Sequence, residues 1–203
     1  QFLADEKMSR MAIAAGANFM LVEIASEQGR HEKDDKLRAK HFGAAIGAIK
    51  KVRQYWSKKP KWEQDVITLM SGDVLGDRMK AEESMNLDKE KILETCGLAA
   101  NTFKVFLQTN GPSESYPFEK MNAGELSNLE RAYASLIPLL VKLGAKQAED
   151  VIKFGEEYLK MFPNGKNKTE ISNCINQARA DLPSKTDAPP AATPPAATDS
   201  IES

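Results

Sequence analysis

Histidine and cysteine are the scarcest reactive side chains in this sequence, two of each among 203 residues, and their scarcity removes most of catalytic and metal chemistry. His31 and His41 cannot build an HExxH site, a paired Glu-x-x-His site or a nucleophile backed by a histidine base. His31 stands three and four positions before Asp34 and Asp35, a spacing that suits zinc on a helix, but two ligands do not make a site. Cys96 and Cys174 lie 78 positions apart, so CxxC and CxxCH are absent too. No glycine-rich phosphate loop occurs: Ser71-Gly-Asp-Val-Leu-Gly76 lacks a preceding strand and a following lysine. The eight methionines are scattered along the chain and read as core filling. Strand-like alternation over four or more residues is missing. A net charge of -1 gives no overall attraction to nucleic acid, so a polyanion would need a local patch. The composition therefore points to a non-enzymatic protein with no cofactor.

What is present is helical periodicity, broken at intervals by proline, glycine and capping residues. Helices are expected from Asp5 to Gly29, which ends the first near Arg30, over Glu32 to Lys58 with an inner stripe of Leu37, Ala44 or Ala45, Ala48, Val52 and Tyr55 or Trp56, from Trp62 to Met70 and again from Val74 to Met85. Ser71-Gly72-Asp73 interrupts that third segment. Further helices are expected over Lys89 to Thr109, capped by Asp88, and over Ala123 to Leu143, with Pro138 inside. The last two run from Lys146 to Phe162 and from a Thr169 cap to about Ala180. The fold expected is all-α, a helical bundle or a short array of antiparallel helical hairpins. Residues 1-182 form one helical domain, and 183-203 form a disordered Pro/Ala/Thr-rich tail that repeats P-A-A-T at 190 and 195.

The run Met11 to Ala25 is too short to span a membrane and contains Asn18 and Glu23; that acid and the polar continuation also argue against a secretion leader. A helix apolar on nearly every side is expected to be central in the bundle. Its belt Ala12, Ala14, Ala15, Gly16 and Ala17 would then admit a neighbouring backbone, and Gly16→Leu would strain the packing.

Two cysteines on helical segments suggest a disulfide between Cys96 and Cys174, worth about 3 to 5 kcal/mol in the chain-entropy model if the helices lie side by side. That bridge, with a chain beginning at Gln1, gives the expectation of an exported protein, periplasmic or extracellular, whose leader has been removed. In such a compartment in a eukaryote, Asn167-Lys-Thr169 would be a glycosylation sequon.

The contact surface expected is the segment 50-62. Lys50, Lys51, Arg53, Lys58, Lys59 and Lys61 alternate there with Tyr55, Trp56 and Trp62, and no acid intervenes. Such a mixture suits a protein partner or an anionic surface. The breaker-rich loop 111-118 is a second contact candidate. Ala45, Ile49, Lys50, Tyr55 and Pro60 recur as Ala148, Ile152, Lys153, Tyr158 and Pro163 at one offset of 103, a weak internal echo. Ala148 to Gly165, followed by a helix to Arg179, resembles the second helix and exit turn of a tetratricopeptide unit, a helical hairpin whose stacks bind peptides in a groove. The function expected is binding through a protein partner, with a bundle carrying a small apolar ligand or haem as the alternative.

Overall fold

The structure is a computed structural model that describes residues 2–56 and 60–182, with side chains described from residue 10 onward. The described residues form seven α-helices and no strand. They are α1 (Phe2–His31), α2 (Asp35–Trp56), α3 (Lys61–Ser84), α4 (Lys89–Asn110), α5 (Ala123–Leu143), α6 (Ala148–Met161) and α7 (Lys168–Asp181). The tail from 183, with Lys58 and Lys59, lies outside the described residues.

Local chemistry sets most of the boundaries. Pro60 precedes the first residue of α3, where a missing N–H does no harm. The Asp88 carboxylate accepts from the Glu90 N–H at 3.0 Å to open α4. Asn122 and Glu125 cap α5 reciprocally at 3.0 and 2.8 Å. Gly144, at φ 94, supplies the left-handed turn that ends it.

Each helix packs chiefly on its neighbours in sequence, so the chain is a series of antiparallel hairpins. Two apolar clusters result, and α3 contributes to both. Val74 and Ala81 of α3 join Val22 and Ala25 of α1 and Phe42, Ala45 and Val52 of α2. Leu69 and Met79 face the larger cluster, where Phe103, Leu136, Leu140 and Tyr158 are fully or almost fully buried.

Three hairpins close by setting a large side chain against a glycine. Phe42 of α2 lies on Gly29 of α1, Phe103 of α4 on Gly72 of α3, and Ile175 of α7 on Gly155 of α6. These contacts correct two expectations. Gly72 does not break α3, which runs unbroken through Ser71-Gly72-Asp73. Glycine there makes room for the Phe103 ring, and the Ser71 hydroxyl donates to the Ile67 carbonyl at 2.7 Å. Gly29 does not end α1, which continues to His31.

Three further expectations are overturned. The helix α1 is peripheral, not central: Ala15, Val22, Ala25 and Ser26 are buried, whereas Ala12, Ala14, Gly16 and Ala17 are exposed. A Cβ on Gly16 would meet nothing within 4 Å, so no neighbouring backbone approaches there as the small-residue belt would require. On α2, Leu37 is exposed, and Phe42 and Ile49 complete the inner stripe instead. Cys96 and Cys174 are free thiols, not a disulfide. The Cys96 thiol points from α4 at α5 and donates to the Leu139 carbonyl at 3.4 Å, while α7, which carries Cys174, packs on α5 and α6.

Candidate functional site: a trough across the odd-numbered helices

Because the chain alternates direction, α1, α3, α5 and α7 bring residues to one side, and two open hollows of about 800 and 650 Å3 lie there. They share Arg30, Asp73 and Arg131 and so form one trough. The first hollow is lined by the C-terminal part of α1 and by Met70 and Val74 of α3. The second runs over Gly76, Met79, Pro138 and Leu139 to Glu170 at the start of α7.

The α3 floor follows from a short motif. Gly72-Asp73-Val74-Leu75-Gly76-Asp77 repeats Gly-Asp at a spacing of four, which stacks the two glycines on one strip of the helix and the two acids on the next. Gly72 is filled from behind by Phe103. Gly76 has nothing within 4 Å of where a Cβ would stand, so it leaves a shallow, open floor.

Both acids are paired across the trough. Asp77 accepts from the Arg30 Nε of α1 at 3.1 Å, and Asp73 pairs with Arg131 of α5. Glu83, six residues beyond Asp77 on α3, pairs with Lys142 of α5. At the α1 rim, Glu27 takes His31 at 2.8 Å and Arg30 at 3.3 Å. Burial pushes the Asp73 carboxyl above its ordinary value; Arg131 counters this, and Asp77 adds to the rise. Burial works against the Arg30 charge, but Asp77 and Glu27 outweigh it and hold the guanidinium above its usual value. The bond from His31, then that from Arg30, lowers the Glu27 carboxyl.

Pro138 adds a polar group. It has no N–H to give the Ala134 carbonyl four residues earlier, and both residues line the trough beside Ser135. The site thus combines an apolar floor, balanced ion pairs and a helix carbonyl released from its ladder. That inventory suits an uncharged or mixed-charge polypeptide segment better than a polyanion.

The residues expected from the sequence to make contact lie elsewhere. Lys50, Lys51, Arg53 and Lys61 are exposed at the α2–α3 corner; Lys61 pairs with Asp65 at 3.1 Å and bonds Asn110. Trp62 is 67% exposed, whereas Tyr55 and Trp56 are half-buried and the Trp56 ring stacks on Phe19 at 5.3 Å. Arg53 and Trp56 border a separate hollow of about 390 Å3 between α2, α3 and α4, and although Arg53 keeps much of its surface in solvent, partial desolvation there lowers its pKa. The loop 111-118 is largely exposed, and Tyr116 there donates to Glu125 at 2.9 Å. Asn167 is half-buried, its N–H donating to the Tyr158 hydroxyl at 3.3 Å.

His31 and His41 each face a glutamate, and no group of three metal-ligating side chains occurs among the described residues. No described helix is long and apolar enough to cross a membrane. Comparison with protein families, curated proteins and solved structures finds no match for this chain.

Proposed function

We propose that this protein is a non-enzymatic interaction module that holds a polypeptide segment of a protein partner in the trough across α1, α3, α5 and α7. The observation that carries the reading is the Gly72-Asp73/Gly76-Asp77 floor, open at Gly76 and walled by Arg30 and Arg131 from helices on either side. A peptide laid there covers the half-buried Met70 and Pro138 and offers an N–H to the Ala134 carbonyl. Trp62, with Lys50 and Lys51, supplies a second contact outside the trough, at the α2–α3 corner. The exported location expected from the sequence loses the support of a disulfide, and the trough works in either compartment. The alternative of a small apolar ligand or haem is tested by an absorption spectrum, where a Soret band would favour it.

Gly76→Trp tests the reading directly. A Cβ there meets nothing within 4 Å and the indole extends toward the open hollow, so the variant is expected to fold, checked by its circular dichroism melt, with the site filled. A random 12-residue peptide library displayed on phage is selected on the parent protein, and the enriched peptides are measured on both proteins. They are expected to bind the variant about tenfold more weakly or worse. Equal binding to both, or no enrichment on the parent, would overturn the proposal.

A further inference from the structure

Helix α1 is apolar on two opposite sides, and among the described residues only one of them is covered. Ala15, Val22, Ala25 and Gly29 pack on α2. On the other side Ile13, Ala17, Met20 and Ile24 recur at steps of four, three and four, within about 60° of arc. Ile13 is 71% exposed, Met20 61% and Ile24 52%, so among the described residues this stripe is left open. Three large side chains in a row on one helix exceed the scattered apolar exposure normal for a folded surface.

We infer that the stripe pairs with the same stripe of a second copy, the two α1 helices running antiparallel. The argument is the stripe's self-complementarity under reversal. When α1 is turned end for end about the point between Asn18 and Phe19, Ile13 falls opposite Ile24 of the second copy. Ala17 falls opposite Met20, the small residue opposite the long one, and Arg10 falls opposite Glu27. A two-fold axis makes every such contact occur twice, so one register satisfies both ends. The charges beside the stripe point the same way. Glu23 and Glu27 flank it on one side and Arg10 on the other, a mixed-sign border that suits a reversed copy, whereas a helix lying on a lipid surface carries lysine and arginine on both sides. From Ile13 to Ile24 the stripe is about 17 Å long, so the contact is small and the dimer reversible. It shares Ile24 and Glu27 with the trough and runs from there toward the N-terminus, and mass and register measured without any peptide separate its failure from that of trough binding.

The test is oligomeric state combined with register. Light scattering on the eluting full chain is expected to show the mass rising from 22.4 kDa toward twice that value at concentrations on the order of 0.1 mM. Met20→Glu is expected to hold it at the monomer mass with unchanged helical signal, since Met20 touches solvent in the single chain. For register, protein carrying Ile13→Cys is mixed with protein carrying Ile24→Cys, oxidised with copper phenanthroline and mapped by mass spectrometry. A 13-to-24 bridge is expected to dominate over 13-to-13, whose positions lie about 17 Å apart along the antiparallel pair. A monomer at every concentration, a dimer unaffected by Met20→Glu, or a dominant 13-to-13 bridge would overturn the inference. A chain that stays monomeric but pellets with phosphatidylglycerol vesicles would assign the stripe to lipid instead.

Discussion

The same substitution at two glycines of one helix separates a peripheral α1 from a central one. At Gly29 a new Cβ would stand 2.7 Å from Cε1 and 2.8 Å from Cζ of Phe42. Carbon atoms pack at about 3.5 to 4.0 Å, so the ring or the helix must move by roughly 1 Å. Phe42 is almost fully buried between α1 and α2 and its ring has little space to yield. Overpacking of this kind costs about 1 to 3 kcal/mol, against a helix-propensity gain of at most about 1 kcal/mol so near the helix end. Gly29→Ala is therefore expected to destabilise by about 1 to 2 kcal/mol. At Gly16 nothing lies within 4 Å, and only the propensity gain of about 0.5 to 1 kcal/mol remains. The two variants are expected to differ by about 2 kcal/mol, a gap read in urea titrations by circular dichroism. Tryptophan fluorescence adds a local probe, because Trp56 stacks on Phe19 across the α1–α2 contact. A Gly16→Ala variant less stable than the parent, or a Gly29→Ala variant as stable as it, would refute the placement of α1.

Further outcomes follow from buried groups. Intact mass without reductant is expected to show two free thiols, and burial pushes the Cys96 thiol up to about 11, so little thiolate exists at pH 8. Cys96 should react with Ellman's reagent only on unfolding; fast reaction of both thiols in the native protein would contradict that packing. Glu82 is almost fully buried, with one carboxylate oxygen accepting from Arg78 Nε at 2.8 Å and the other without a partner. Arg78→Ala leaves that acid without its cation and is expected to cost about 2 to 3 kcal/mol, less than a fully buried pair because Arg78 is partly exposed. Arg78→Ala combined with Glu82→Met should recover most of the loss, measured by the same urea titration.

The all-α class and most helix ends were legible because their determinants are local. Asp88, Asn122, Gly144 and Pro60 act within a few residues of their own position. What escaped the sequence depends on partners distant in the chain. Gly72 looks like a breaker until Phe103, on the next helix, is placed against it. An all-round apolar α1 looks central because composition records how much apolar surface there is, not which side is covered. The trough residues Arg30, Asp73, Asp77 and Arg131 carry one readable signal, the four-residue Gly-Asp repeat on α3, whose first glycine reads as an interruption from sequence alone. The basic and aromatic segment 50-62 was conspicuous in composition, yet Tyr55 and Trp56 are half-buried and the trough lies elsewhere.

The central claim, that the trough takes up a segment of another protein, is tested most directly by a photo-crosslinking residue at position 76 in the host cell, with the same residue at Leu98 as a control. Position 76 opens into the trough without crowding, and Leu98 is 54% exposed on α4. Illumination is expected to give one discrete heavier species from position 76 and none from position 98, with partner peptides mapped by mass spectrometry to the trough. The same adducts from both positions, or none from position 76, would contradict the account.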